Sequence, residues 1–121
     1  MDILSFDQLA SRPGGTPTFI GADHGATVSF FVERAGPGEG PPKHRHPYDE
    51  TFVVIEGTLE FTVEGVTKGV GPGEIVVAPA RAWHSFTNRT DAPALSVNIH
   101  AADRMETEWW SDRAEGTDAA R

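Results

Sequence analysis

The 121-residue chain contains no cysteine. That excludes a disulfide scaffold, a thiolate zinc site, an iron–sulfur cluster and a cysteine nucleophile. Any metal must then be held by nitrogen and oxygen. Basic residues are scarce, with 10 Lys and Arg against 18 Asp and Glu and a formal net charge of −8. A duplex or an anionic membrane repels such a chain, so neither nucleic acid nor membrane is expected as a partner. No apolar run reaches the ~18 residues of a membrane span. Met1-Asp2-Ile3-Leu4 is neither basic nor followed by a long apolar stretch, unlike a secretory signal. A cytoplasmic location is the expectation.

Turn residues are plentiful. Thirteen Gly and nine Pro suit short strands joined by turns, and the length suits one domain. Strands are predicted at Thr16–Gly21, Ala26–Arg34, Glu50–Glu56, Thr58–Glu64, Glu74–Ala78, Trp83–Thr87, Ala94–His100 and Glu106–Trp110. Leu59, Phe61 and Val63 alternate with polar residues, the period of a half-buried strand. Gly57 between two such runs predicts a hairpin turn. Asp7 to Ala10 allows one helical turn. Eight or nine strands with turns every ~8–12 residues indicate an all-β sandwich or barrel. The reading divides the chain into an N-terminal segment 1–15, a barrel 16–110 and a polar tail without fixed structure at 111–121.

Among five histidines, His44 and His46 sit two apart. On an extended chain both imidazoles face one side, and Glu50 shares their parity unless the chain turns at Pro47. His84, just after the turn at Pro79, is the best further ligand. Imidazole and carboxylate together suit Fe, Mn, Ni, Zn, Co or Cu(II). Phe52 shares parity with Glu50, and Phe86 with His84, which makes them candidate pocket walls. Trp83 has the opposite parity. His24 and His100 are read as non-ligands, with His100 the better candidate to support a ligand from behind.

The same residues resemble the cupin superfamily. Its first motif, G-x5-H-x-H-x3-E-x6-G, is met by Gly38, His44, His46, Glu50 and Gly57. Its second, G-x5-P-x-G-x2-H-x3-N, is met by Gly73, Pro79, His84 and Asn88, with Arg81 in place of the second glycine. The resemblance implies a double-stranded β-helix, the cupin jelly-roll barrel. It implies one divalent transition metal on His44, His46, Glu50 and His84, and no separate organic cofactor site. Arg81 either strains a left-handed turn, at a cost of about 1 kcal/mol, or offers a cation near the barrel mouth. Asn88 is expected to hydrogen-bond locally.

Three function classes stay open. The favoured one is a dioxygenase of an enol, diketone or phenolic substrate, as in small cupins similar to quercetin or diketone dioxygenases. Glu50 would then be both ligand and proton acceptor. The second is non-redox metal catalysis by an isomerase, cyclase, decarboxylase or lyase. The third is a small-molecule binder or sensor without turnover. Exposed strand edges predict a homodimer that shares Thr16–Gly21, which carries Phe19 and Ile20. Metal binding is expected to weaken below pH ~6 as imidazoles protonate.

Overall fold

Short apolar-polar alternations, each ended by Gly or Pro, fold here into strands too brief to stand alone. The computed structural model describes residues 1–113. Ten strands run in chain order: β1 (Thr18–Phe19), β2 (Ser29–Ala35), β3 (His44–Arg45), β4 (Glu50–Glu56), β5 (Leu59–Val63), β6 (Val66–Val70), β7 (Ile75–Ala78), β8 (His84–Thr87), β9 (Ala94–His100) and β10 (Glu108–Trp109). A four-residue helix, α1 (Phe6–Leu9), precedes them and is capped by Ser5, whose side chain accepts from Gln8 N. Among the described residues no helix is long and apolar enough to cross a membrane.

The strands form two antiparallel five-stranded sheets, ordered β1-β2-β9-β4-β7 and β10-β3-β8-β5-β6. The chain is thus all-β, and it crosses repeatedly between two facing sheets. Phe52 and Val54 of β4 meet Leu59 and Phe61 of β5 and Phe86 of β8 in the core between them. Phe52, Phe61 and Phe86 form an aromatic triangle with centroid spacings of 4.9, 5.2 and 5.7 Å.

Four local expectations change. β4 and β5 do not form a hairpin: β4 pairs with β7 and β9, and β5 with β6 and β8. Gly57 turns the chain from one sheet into the other, after a register shift between Val54 and Glu56. Its φ is 72°, and a Cβ there would lie 2.6 Å from Pro93 O. Val66–Val70 is a strand that the glycine-rich reading missed; β6 is an exposed edge, where glycine interrupts no core packing. β1 is two residues long and pairs with β2 of its own chain through Thr18 and Phe19. At the other end, Trp110–Asp112 forms a 3-10 turn within the predicted tail. The rest of that tail, 114–121, lies outside the described residues.

Trp83 faces away from the interior yet is buried. Trp110 meets its ring edge-on at 5.0 Å, and the Arg45 guanidinium lies over it at 4.2 Å. Asn88 donates to Ala35 O and Ala92 O at 2.9 and 2.7 Å, which ties the end of β8 to the end of β2.

Arg81 adopts φ 67°, the left-handed region. Arg81→Gly relieves that strain but frees the unfolded chain, so a net stabilisation of about 0.5–1 kcal/mol is expected in denaturant unfolding. Gly57→Ala should cost more than about 2 kcal/mol, because strain and the clash with Pro93 O add. A neutral Gly57→Ala would contradict the sheet-switching corner.

Candidate metal centre

The imidazoles come from one sheet and the carboxylate from the other. His44 of β3 is the antiparallel partner of His84 of β8. Directly paired residues share a face, and the two rings lie 4.4 Å apart. His46 joins them at ring spacings of 5.0 and 5.2 Å. The chain then turns at Pro47 and crosses to the first sheet, where Glu50 is paired with Ala78 and His100. Shared parity is therefore not what aims Glu50; it faces the histidines from the opposite sheet. His44, His46, Glu50 and His84 are all buried, with ligand atoms within 4.8 Å of one another.

Each ring is oriented from behind. His44 Nδ1 lies 2.7 Å from Pro42 O, His46 Nδ1 2.7 Å from Glu106 O, and His84 Nδ1 2.8 Å from Ala82 O. A carbonyl oxygen only accepts, so Nδ1 carries the proton in each ring and Nε2 keeps its lone pair. Yet His46 Nε2 and His84 Nε2 lie 2.9 and 3.1 Å from one oxygen, Glu50 Oε1. Lone pairs at that range repel unless a metal ion or a second proton on the imidazole sits among them. Ligand atoms about 2.1 Å from a shared ion, at right angles, lie about 3 Å apart. Three imidazole nitrogens and a carboxylate also suit a divalent transition metal with positions left for substrate. The residues fit such an ion.

Burial alone would raise the Glu50 carboxyl, but N–H donation from His100, His46 and His84, when those rings carry a proton on Nε2, outweighs it and holds the group far below the usual carboxylate range; a metal ion in place of those protons acts in the same direction. Burial pushes the His44 imidazole down to about 4, against the pull of the Pro42 carbonyl. His44 is therefore neutral near pH 7, the form that ligates a metal.

A cavity of about 200 Å³ adjoins the four residues. Phe52 and Phe86 line it, as do Phe31 and Trp109. Trp109 of β10 also lies 5.0 Å from the His44 ring. Arg81 does not reach this cavity. It is exposed, on an outer cleft with Arg45, Pro47 and Glu108. His24 stacks on Phe19 at 4.9 Å, away from the cavity walls.

His100 stands beside Glu50. Its Nε2 lies 3.1 Å from Glu50 Oε2, at ion-pair distance though off hydrogen-bond angle. Its Nδ1 lies 2.7 Å from the Tyr48 hydroxyl. The available signal was parity: Ser96, Asn98 and His100 alternate along β9, and all three are buried. Tyr48, Glu33 and Trp109 had no motif to mark them.

The cupin-domain family pattern matches residues 31–100. The chain belongs to the cupin family. It is 36% identical over 83 residues to the polyketide synthase CurC of Streptomyces cyaneus, covering 68% of this chain and 52% of that protein. It is 34% identical over 64 residues to a 5-nitrosalicylic acid 1,2-dioxygenase of Bradyrhizobium, covering 53% of this chain and 31% of the relative. The chain thus spans about half or less of these relatives' lengths. In fold it is similar to a double-stranded β-helix protein of Klebsiella pneumoniae, with a TM-score of 0.70 and 22% identity, over 89% of this chain and 96% of that one.

Elemental analysis of purified protein should find one divalent transition metal per chain. His46→Ala and His84→Ala should each lose most of it while far-UV circular dichroism stays that of a β protein. Full stoichiometry in both variants would sink the ligand assignment. Metal-free protein should lose stability in acid. The His44 imidazole titrates near ~6.5 when unfolded and near 4 when folded, so its contribution is whole above pH ~6.5 and is lost as pH falls toward 4. Thermal melts of chelator-treated protein across that window read the effect; a flat melting temperature would contradict it.

Proposed function

We propose that the chain is a metal-dependent dioxygenase acting on a small enol, diketone or phenolic substrate. The observation that carries this reading is the convergence of four buried ligand residues on one point beside a cavity walled by Phe52 and Phe86. The likeness to the 5-nitrosalicylic acid 1,2-dioxygenase of Bradyrhizobium supports the O2-dependent class. A divalent transition metal held by His44, His46, Glu50 and His84 supplies a Lewis acid that favours an enolate or phenolate and, if redox-active, an electron path to O2. The cavity's apolar walls exclude bulk water and strengthen the charge interactions inside it. Glu50, a weak base with its carboxyl held so low, accepts the proton only from a substrate that the metal has made strongly acidic. Glu50 Oε2 faces His100 Nε2, and His100 Nδ1 meets the partly exposed Tyr48, so the accepted proton has a polar row leading outward.

A second reading, Lewis-acid chemistry without O2, draws on the likeness to the polyketide synthase CurC. Oxygen dependence separates the two. Glu50→Gln should keep part of the metal on three histidines yet lose turnover by about two orders of magnitude or more in O2-uptake assays. Undiminished turnover under strict anaerobiosis would assign the Lewis-acid class. Full activity of Glu50→Gln would remove Glu50 as the base.

We also propose a homodimer. Ile55, Ile75 and Val77 are exposed on the first sheet, and an apolar patch of this kind supports self-association. Light scattering at micromolar concentration should give twice the chain mass; a 13.0 kDa species would reject it.

A further inference from the structure

The cavity holds a second carboxyl that the metal cluster does not use. Glu33 of β2 lines the same cavity as Glu50 and the histidines. It projects from a deeper row. Ser29 pairs with His100, and His100 with Glu50, whereas Glu33 lies four residues further along β2. The backbone rows are four residues apart, but the carboxyl leans back to Asn98, two residues from His100 along β9, which places it about 7 Å from the row of Glu50. The Glu33 side chain is held there by a fixed chain of donors. Ser96 Oγ donates to Asn98 Oδ1 at 2.7 Å, which leaves Asn98 Nδ2 to donate to Glu33 Oε1 at 3.1 Å. Among the described residues no ion pair reaches Glu33, and no lysine or arginine lines the cavity. Two carboxyls and no cationic side chain therefore face whatever enters.

We propose that Glu33 sets substrate specificity: it excludes molecules that carry a carboxylate at the end remote from the metal ligands and accepts neutral ones that present a hydroxyl or a small apolar group there. This rests on the metal-dependent reading above. The physical reason is like-charge exclusion in a site with little water to screen it. Burial and the charges of Glu50 and Glu39 raise the Glu33 carboxyl toward its neutral form, so the exclusion strengthens as pH rises. Size adds a second limit. A cavity of about 150 Å³ accommodates benzene, so about 200 Å³ suits one ring with small substituents.

The test uses the protein loaded with redox-inert Zn(II), so that no turnover is needed. Two probes share one diol and nearly one shape: 4-methylcatechol and 3,4-dihydroxybenzoate. Titration calorimetry should show 4-methylcatechol binding at least about tenfold more tightly at pH 7. Glu33→Gln keeps a carbonyl acceptor and removes the charge. It should tighten 3,4-dihydroxybenzoate about tenfold and move 4-methylcatechol by less than about threefold. Zinc stoichiometry and thermal melts check the variant, and the wild-type comparison stands without it. Equal affinity of the wild type for both probes, a gap that survives Glu33→Gln, or binding of neither probe would overturn the proposal. Failure to load zinc would count against the metal reading itself, whereas loading with unselective binding would remove the role of Glu33 alone.

Discussion

The Nε2 lone pairs of His46 and His84 and the carboxylate of Glu50 crowd one point, and that crowding is tolerable only around a cation. Much of the interior is arranged to keep the rings from escaping it. Backbone carbonyls of Pro42, Ala82 and Glu106 each hold one Nδ1 and so forbid rotation of the imidazole. The aromatic triangle of Phe52, Phe61 and Phe86 fixes the sheets from which Glu50 and the histidines project. Burying an ionised carboxylate among imidazoles is costly, and the apolar layer beneath the centre offsets that cost.

Strand positions were largely legible, because alternation and turn residues act locally. Glu50–Glu56 and Ala94–His100 coincide with β4 and β9 to the residue. Pairing was less so. Gly57 marks a turn in either arrangement, and nothing local says whether the next strand returns beside the last or crosses to the facing sheet. The four residues that could hold a metal were readable from their spacing, although Glu50 arrives by a turn at Pro47 and not by strand parity. Arg81 shows the limit of motif reading: the left-handed backbone is retained without glycine, while the side chain points to an outer cleft.

The strand β9 inverts a common expectation. Its apolar residues Leu95, Val97 and Ile99 are half-buried, whereas Ser96, Asn98 and His100 are buried. Hydropathy alone would turn the polar face toward water. Here the polar face supplies donors to Glu33 and a contact to Glu50, which the cavity needs more than further apolar wall. Such reversals are expected at functional positions, where local preference yields to chemistry.

His46 is oriented by the carbonyl of Glu106, sixty residues later, and the short strand Glu108–Trp109 pairs with His44 and Arg45. During synthesis from the N-terminus, His44, His46, Glu50 and His84 are all made before the segment that sets the His46 ring. The centre is thus completed by the closing strand, and a chain cut before Glu106 would keep three histidines and a carboxylate with one ring unrestrained.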